Sequence, residues 1–305
     1  MDAPVTNTGI IIVTYNSAAE IGPCLDAALA SGAEIVVVDN SSEDGTVAEI
    51  AARGVRLISN STNRGFAAAV NQGFVVLNCP YVLLLNPDAI IQTSLEPLRR
   101  ACDLPGSAGA GGQLVDAGGQ PQVGFMVRNF PTPAALVLES LLLNTVWPGN
   151  PVNRRYRCLD RDNSSCKVEQ PAGAFFMVRR EVWKELGGFD ETFFPLWFED
   201  VDFCRRILDR GLNLYYVAEA VAKHTGGHSI PALPLEKRLI YWYRSLLRYS
   251  AKHFRPFEFR AVCLAVVTGS ILRGIAVSVL HRSLQPMAAY GKVAGLAGRS
   301  LFSGF

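Results

Sequence analysis

Residues 81–88, YVLLLNPD, are the stretch that decides the fold. Five apolar residues are followed by Asn86, Pro87 and Asp88. A short aliphatic run that ends at a proline is typical of a buried strand in a parallel sheet. The polar triplet then lies where the strand leaves the sheet, which is the edge where open α/β sheets bind ligands. A carboxylate there can hold a divalent cation, but the same residue types also form simple turns, so both interpretations stay open.

Strands and helices alternate on the N-terminal side of this stretch. The predicted strands are 10–14, 35–39, 55–59 and 81–86, and the predicted helices are 18–31, 46–53 and 65–76. Ser17 and the run Asn40-Ser41-Ser42 are expected to cap the first two helices. The alternation predicts a Rossmann-like α/β fold, with a mostly parallel sheet flanked by helices and right-handed crossovers.

Polar residues recur at the predicted strand ends. Tyr15 and Asn16 follow the first strand, Asp39 ends the second, and the loop 60–65 leads into a helix. An aromatic ring can stack on a base, a carboxylate can accept from ribose hydroxyls, and a helix N-terminus with Arg64 favours phosphate. Each residue also has a plain structural explanation: Asp39 as a helix cap, Tyr15 as packing, Arg64 as a solvated loop charge. Together they favour a nucleotide site.

Two common nucleotide motifs are absent. The first strand-to-helix turn, TYNSAAEIG, contains no GxGxxG, and nothing in the chain matches GxxxxGK[ST]. The sequence therefore argues against a dinucleotide or P-loop site. A nucleotidyltransferase stays open as an alternative, although it would want a glycine- and lysine-rich loop at this turn.

The second half is harder to interpret. Residues 120–170 are poorly patterned and interrupted by prolines, which predicts either a mobile lid or disorder. Residues 113–115 are a possible short strand, 171–178 a further strand and 179–186 a helix. Acidic residues 199–202 open another helix, where they complement its dipole. The aromatic run before them would instead raise a carboxylate's pKa and position a base.

Seven segments carry a family resemblance. They are VTYN, VVDNSSEDGT, NRGFAAAVNQGF, LLLNPDA, GGFDETFF, FEDVDFCRR and HTGGHS, which span residues 13–229. The chain resembles the inverting family-2 glycosyltransferases of GT-A fold, within their bacterial rhamnosyltransferase-like branch. In that family the NPD segment takes the place of the usual Asp-x-Asp metal motif.

The resemblance implies a role for each matched residue. Thr14, Tyr15, Asn16 and Asp39 would hold the nucleoside, with Asn63, Arg64 and Gly65 beside it and Asn86 close to the metal. Asp88 and His224 would bind Mg²⁺ or Mn²⁺, although a lone histidine after a strand is more often structural. Asp200 would be the general base, with Glu199 assisting and Gly173 and Trp197 on the acceptor side. Asn86 departs from the acidic family pattern, which implies a modest metal affinity.

The implied activity is metal-dependent, inverting sugar transfer in cell-wall or other polysaccharide biosynthesis. We expect L-rhamnose to move from dTDP-rhamnose, or another sugar from a dTDP- or UDP-sugar donor, to a glycan or lipid-linked glycan. A non-catalytic nucleotide-sugar-binding partner is the alternative from another class. The expected division is a catalytic domain over 1–230, with donor half 1–105 and acceptor half 106–230, and a tail over 231–305.

Charge and cysteine content indicate which partners and which cellular compartment to expect. The chain of 305 residues has a net charge of +2, but from Glu236 onward it carries 11 Lys or Arg against 2 Asp or Glu. No nucleic-acid partner is expected. The 7 cysteines form no CxxC pair, and the N-terminus has no basic signal region, so we expect free thiols and a cytoplasmic location.

The tail is expected to form a helical extension. Basic and aromatic residues mix over 237–259, and an uncharged run over 261–272 ends at Arg273. A membrane-spanning helix needs about 20 apolar residues. The pattern therefore favours a tail that lies on the inner face of the plasma membrane. Packing on the catalytic domain and an oligomer interface are the competing interpretations.

Overall fold

The computed structural model describes residues 7–226 and 233–303 and groups the chain into two compact units. We call them the sheet unit, Met1–Asn129, Arg161–Pro195 and Glu199–Ser229, and the helical unit, Phe130–Asp160, Leu196–Phe198 and Ile230–Phe305. Residues 130–160 and 196–198 thus group with the C-terminal helices, and the expected catalytic domain over 1–230 stays a prediction. The end of the HTGGHS segment, residues 227–229, lies outside the described residues.

The sheet unit contains all the described strands. They are β1 (Thr8–Thr14), β2 (Glu34–Asp39), β3 (Arg56–Ser59), β4 (Tyr81–Leu85), β5 (Ala89–Ile91), β6 (Ser107–Val115), β7 (Val127–Arg128), β8 (Cys166–Val168), β9 (Gln170–Pro171), β10 (Phe175–Arg179) and β11 (Asn213–His224). Its helices are α1 (Ile21–Ala30), α2 (Thr46–Ala51), α3 (Phe66–Val76), α4 (Glu96–Cys102), α8 (Arg180–Leu186) and α9 (Glu199–Asp209). Within the described residues, nine strands form one sheet in the order β3-β2-β1-β4-β10-β6-β11-β5, with β8 on β11, and β7 pairs separately with β9.

The sheet is mixed, and its N-terminal half is parallel. β1, β2, β3 and β4 run parallel, and β6 runs parallel to β11. β10 is antiparallel to both of its neighbours, β4 and β6. The predicted fold class, a mostly parallel sheet flanked by helices with a helical C-terminal extension, is confirmed.

The predicted strands form the core because their apolar runs are covered on both faces. Ile10 and Ile12 of β1, Val37 of β2 and Leu83 of β4 are completely buried. The register pairs Thr14 with Asp39 and Ile12 with Leu85. The polar residues that follow these strands therefore emerge at one edge of the sheet, as the strand-end argument predicted.

Glycines allow β6 to be longer than the predicted strand 113–115. A Cβ on Gly109 would lie 2.5 Å from the carbonyl oxygen of Met177. A Cβ on Gly111 would collide with Pro171, and one on Gly112 would collide with Phe175. Side chains from β9 and β10 fill the space that β6 leaves, so this glycine-rich segment is an interior strand.

The two predicted helix caps are wrong. α1 begins at Ile21, and the Ser17 hydroxyl bonds to the Tyr15 backbone instead of capping a helix. α2 begins at Thr46 after Gly45, and the Asp44 carboxylate accepts a 3.0 Å bond from the Thr46 N–H. In both cases the loop after the strand uses its polar side chains to hold itself together.

The expectation of disorder over 120–170 is also wrong, whereas the alternative, a mobile acceptor-binding lid, stays a prediction. The structure places α5 (Pro133–Ser140), α6 (Leu143–Val146) and α7 (Pro151–Tyr156) in this segment, all in the helical unit. Thr132 and Asn150 cap α5 and α7 by accepting from backbone N–H groups. Two of the prolines that suggested interruption, Pro133 and Pro151, stand at the first helical position, where a proline lacks only an N–H that would be unpaired anyway.

The C-terminal part of the helical unit consists of α10 (Leu235–His253), α11 (Pro256–His281) and α12 (Gln285–Ser303). α11 continues through Arg273, whose guanidinium donates to the Tyr243 hydroxyl and, at 2.6 Å, to the carbonyl of Glu139. Among the described helices, α11 alone is long and apolar enough to cross a membrane by length and composition, and 44% of its most apolar stretch is buried in the protein.

Candidate functional site

Backbone contacts at the end of β4 bring two distant chain segments together. β10 runs antiparallel to β4 with Phe175 opposite Leu85, and the Asn86 N–H donates a 3.0 Å bond to the carbonyl of Ala174. The next residue back, Gly173, donates from its N–H to the carboxylate of Asp200 at 3.2 Å. The start of α9 is therefore tied through 173–174 to the edge where Asp88 leaves the sheet.

Asp88 faces His224 in the sheet unit. β5 and β11 pair with Ala89 opposite His224, which places Asp88 Oδ1 3.4 Å from His224 Nε2. The side chains are 11% and 4% exposed. Burial alone would raise the pKa of Asp88, but the hydrogen bond and charge of His224 and the Gly226 N–H lower it below its usual value. The structure thus brings together the two residues for which the family resemblance implies a metal-binding role.

Gln122 holds the far side of the His224 ring. Its amide oxygen lies 3.0 Å from His224 Nδ1, and its amide nitrogen donates to the His224 carbonyl at 2.7 Å. Phe125 stacks on the imidazole, with ring centroids 5.2 Å apart and planes within 9°. If a cation took the place of the Nε2 proton, an Nδ1–H donated to Gln122 would leave the Nε2 lone pair directed at that cation, which is the orientation that a metal-bound histidine needs. No sequence signal marked Gln122.

The chemistry of this donor set fits a divalent cation. A carboxylate and an imidazole form a mixed O/N set of the kind that Mn²⁺ accepts, and Mg²⁺ commonly takes only one or two carboxylates plus phosphate oxygens and water. No group of three or more His, Cys, Asp or Glu residues with metal-binding geometry occurs in the described part of the chain.

Asp200 is a half-buried carboxylate with several donors around it. Besides Gly173, the Val201 N–H donates at 2.8 Å, and the Gln170 amide lies at 3.5 Å. Burial raises the pKa of Asp200, and the N–H groups of Gly173 and Val201 and the charge of Arg128 offset only part of that rise. Gly173 must be small, because a Cβ there would lie 3.3 Å from Asp200 Oδ2.

The other acids of α9 have different surroundings. Glu199 is 6% exposed, its Oε2 has no hydrogen-bond partner among the described residues, and burial, followed by the charge of Asp200, raises its pKa well above normal. Asp202 is fully buried and bonds Arg206 at 2.8 Å. Arg206 in turn donates to the carbonyls at the end of α8. Asp202 is therefore structural, whereas Glu199 is a buried acid on which the charge of Asp200 acts.

Arg128 connects the two acidic groups. It stands opposite Gln170 where β7 pairs with β9, and its charge acts on Asp200. Its guanidinium lies 5.7 Å from the centre of the Phe125 ring, the same ring that stacks on His224. This cation was missed by sequence reasoning because it lies in the segment whose pattern was too weak to assign.

The residues after β1 and β2 form a tightly bonded loop. Asp39 accepts from the Thr14 hydroxyl at 2.8 Å, from the Ser42 N–H at 2.9 Å and from the Ser42 hydroxyl at 2.5 Å. The Asn16 side chain accepts from the Glu43 N–H at 2.8 Å, and Tyr15 is 37% exposed. The structure thus brings Thr14, Asn16 and Asp39 together and leaves the Tyr15 ring open to solvent.

The loop before α3 is closed by the segment before α9. Gly65 has φ +85°, the Asn63 side chain accepts from its N–H at 2.9 Å, and the Phe66 N–H donates to the carbonyl of Pro195 at 2.7 Å. This N–H is one that the sequence analysis expected to be open to phosphate. Arg64 is exposed at the same loop.

Trp197 belongs to the helical unit. Its ring packs edge-on against Trp242 with centroids 5.4 Å apart, and the Leu196 carbonyl accepts from the Ser245 hydroxyl at 2.9 Å. Trp197 and Phe198 both have positive φ values, 77° and 70°. The structure therefore gives Trp197 a packing role in its own unit, and its acceptor-side role stays a prediction.

The sheet unit thus brings the Asp88–His224 pair and a carboxylate of raised pKa close to one edge of the sheet. Comparison with known proteins shows the family. The family model described as "Glycosyl transferase family 2" matches residues 9–187.

Two relatives identify the class of reaction in similar proteins. The chain is 29% identical over 279 residues to N-acetylglucosaminyl-diphospho-decaprenol L-rhamnosyltransferase of Mycobacterium tuberculosis, covering 80% of this chain and 88% of the relative. It is 27% identical over 209 residues to the low-salt glycan biosynthesis hexosyltransferase Agl10 of Haloferax volcanii, covering 67% of this chain and 62% of the relative.

Solved structures show the same fold at low identity. A mannosyltransferase from Pyrobaculum calidifontis, in complex with GDP-Man and Mn²⁺, superposes with a TM-score of 0.53 at 17% identity, covering 97% of this chain and 81% of that one. TarS 1-349 from S. aureus superposes with a TM-score of 0.52 at 15% identity, covering 98% and 92%.

Proposed function

The chain belongs to glycosyl transferase family 2, and from this premise we propose that it is a metal-dependent, inverting transferase whose general base is Asp200. The donor would bind along the carboxyl ends of β1, β2 and β4. Glycosyltransferase activity follows from the family itself. The metal, the stereochemistry and the residues in their roles are our proposal.

We assign L-rhamnose as the sugar and a lipid-linked glycan as the acceptor. The support is the relative from M. tuberculosis, whose name specifies L-rhamnose and an N-acetylglucosaminyl-diphospho-decaprenol acceptor and which matches most of both chains. The proposed donor is dTDP-L-rhamnose. An acceptor on a lipid carrier would place the enzyme at the cytoplasmic face of a membrane.

Asp200 is proposed to take the proton of the acceptor hydroxyl. A carboxylate whose pKa is raised by burial is a stronger base than one in water, which makes proton transfer to it more favourable. Gly173 and Val201 hold its two oxygens in place through their N–H groups. The oxygen so activated attacks the anomeric carbon on the face opposite the diphosphate, which inverts the configuration in one displacement.

Asp88 and His224 would hold the Mg²⁺ or Mn²⁺ ion, which offsets the negative charge of a departing diphosphate when bound. Gln122 keeps the imidazole in the orientation and tautomer that this requires. The loop with Thr14, Tyr15, Asn16 and Asp39 would hold the nucleoside, with Asn63, Arg64, Gly65 and Asn86 beside it.

The observation that carries the proposal is the hydrogen-bond path from Asn86 through residues 173–174 to Asp200. It ties a raised-pKa acid to the same sheet edge as the Asp88–His224 pair. A protein that only bound nucleotide-sugars would have no need for such an acid there.

The test is sugar transfer by Asp200→Asn, with Asp209→Asn as the matched control. Asp209 lies at the exposed end of the same helix and pairs with Arg205 at 3.1 Å. Loss of a general base lowers the rate by about 10²–10⁴-fold. We expect that loss for Asp200→Asn with dTDP-rhamnose, and near wild-type transfer for the control. Transfer at the wild-type rate by Asp200→Asn would overturn the assignment.

A further inference from the structure

The helical unit contains a cationic groove of about 800 Å³ along α10 and α12. Four basic side chains line it: Arg244 and Arg248 on α10, and Lys292 and Arg299 on α12. The spacing of four residues on α10 and seven on α12 places each pair on one face of its helix. The lining residues that the structure describes include no carboxylate.

Glycines leave this groove open. Gly291 and Gly295 lie in its lining on α12. A Cβ on Gly291 would meet nothing within 4 Å, and one on Gly295 would meet only the Arg299 guanidinium at 3.9 Å. These glycines are therefore not needed for close helix packing. Their effect is to leave a hollow whose volume is in the range of ligand sites.

The arginine and lysine side chains of the lining favour an anion whose negative charges lie close together. Arginine presents a planar fork of N–H donors that matches phosphate oxygens, and lysine adds a point charge. Lys292 already pairs with Glu236 at 2.6 Å, although both side chains are largely exposed, so solvent screens that pair. A diphosphate, with two adjacent anionic groups, matches several cations gathered in one hollow better than an isolated phosphate does.

A second feature of the same unit points to a lipid. Along α11, Leu264, Ile271, Ile275 and Val279 are 54%, 50%, 47% and 72% exposed, and their spacing places them on one face of the helix. An exposed apolar face together with basic side chains is typical of proteins that rest on a membrane surface. A soluble diphosphate would give no reason for this apolar face.

We propose that the groove of the helical unit binds the diphosphate of a polyprenyl-type carrier lipid. This rests on the proposed function only in the choice of a diphosphate-linked acceptor. The groove lies wholly within the helical unit, away in sequence from Asp88 and Asp200, so it is a separate binding site with its own test.

The experiment measures binding of the full chain to vesicles, without any sugar donor. Three vesicle types are compared: phosphatidylcholine alone, phosphatidylcholine with a polyprenyl diphosphate, and phosphatidylcholine with phosphatidylglycerol at equal surface charge. We expect the wild type to bind the polyprenyl diphosphate vesicles at least about tenfold more tightly than the phosphatidylglycerol vesicles. Equal binding to the two anionic surfaces would show that the unit senses only surface charge, and would overturn the proposal.

Two variants test the groove itself. Arg244→Glu reverses a charge, and Gly291→Leu fills the hollow without a steric clash at its Cβ. Each should lower binding to polyprenyl diphosphate vesicles by about tenfold or more. Arg155→Glu, an exposed position on α7 of the same unit that lies outside the lining and off α11, is the control with the same charge change. An unchanged melting temperature confirms that each variant folds.

The outcomes separate this inference from the proposed function. Wild-type binding by both groove variants overturns the groove, whatever the transfer assay shows. A wild-type chain that binds the carrier lipid and loses this binding in both groove variants supports the groove even if Asp200→Asn still transfers sugar. In that case only the assignment of Asp200 as the general base would be wrong.

Discussion

Asp88 and Asp200 are the same residue type in the same sheet unit, and their surroundings push their pKa values in opposite directions. Asp88 is buried, but His224 and the Gly226 N–H lower its pKa below normal. Asp200 is buried beside Glu199, and the donors around it leave its pKa raised. One carboxylate is kept charged, and the other is made a better proton acceptor.

The difference shows how two carboxylates near one sheet edge can suit two different roles, cation binding and proton transfer. A carboxylate that stays ionised suits a cation, because metal ligands must be deprotonated. A carboxylate with a raised pKa suits general base chemistry, because its affinity for a proton is closer to what neutral pH demands. Substitutions that remove charge at one position and not the other separate the two roles.

The largest expected effect comes from Asp88→Asn, which removes the charge and keeps the shape. Donor affinity in the presence of Mn²⁺ should fall by more than about a hundredfold, because half of the protein's ligand set loses its anion. Asp200→Asn should leave that affinity unchanged. Calorimetric titration of dTDP-rhamnose with Mn²⁺ and with EDTA measures both. Equal losses of donor affinity for the two variants would show that Asp88 and Asp200 do not have separate roles.

Next in size is Gln122→Ala, which leaves both proposed metal ligands in place. Losing the partner of His224 Nδ1 should weaken Mn²⁺ binding by about 10–100-fold, since partners of this kind typically contribute that much. Gln92→Ala, an exposed glutamine just after β5, is the control. Metal titration monitored by tryptophan fluorescence gives the comparison, and equal affinities for the two variants would refute an orienting role.

A smaller effect concerns the pH profile. The rate of transfer should fall as the pH is lowered, and this fall should occur at a higher pH than an ordinary aspartate would give. The reason is that the raised pKa of Asp200 means that its carboxylate becomes protonated at a higher pH. Arg128→Gln removes a cation that lowers that pKa, so the acid limb should move to higher pH by about one unit or less. Arg100→Gln, an exposed arginine on α4, should not move it. A limb that moves to lower pH would contradict the proposed effect of Arg128.

The smallest expected effect is on stability. Folding raises the pKa of Asp200, so the folded state holds the proton more tightly, and ionisation above the folded pKa costs stability. Asp200→Asn should therefore stabilise the fold at pH 7, by on the order of 1 kcal/mol. The gain should shrink as the pH falls through the folded pKa. Melting temperatures at a series of pH values test this, and a gain that persists at low pH would speak against it.

The N-terminal half was predictable because its signals are local. Strands β1, β2 and β4 are continuous apolar runs that end in polar residues, and that pattern predicts both a buried parallel sheet and the edge where ligands bind. The placement of Asp88 followed directly. The resemblance of sequence motifs then indicated His224 and Asp200. These residues are far from Asp88 in the chain, so local sequence patterns could not have related them to it.

The rest could not be predicted because its determinants are long-range or ambiguous. Gln122 and Arg128 act through contacts with residues 72 or more positions away, so nothing beside them in the chain marks them. Pro133 and Pro151 suggested breaks, but they begin helices, since a proline interrupts a helix only when turns precede it. Arg273 ends the uncharged run in the sequence, but the helix α11 continues through it, because the guanidinium finds a hydrogen-bond acceptor in the carbonyl of Glu139.

The glycines of β6 carry a consequence for how this protein can evolve. Room for a side chain at Gly111 exists only if Pro171 recedes, and room at Gly112 only if Phe175 does. Phe175 lies directly opposite Leu85, one residue before the chain turns toward Asp88. Among homologous chains, gains in volume at 111 should therefore occur together with losses at 171, and this pair should covary more strongly than neighbouring positions of the same strands. Position 112 should stay glycine, because a Cβ there would also lie 2.5 Å from the carbonyl oxygen of Ala220, which no side-chain change removes.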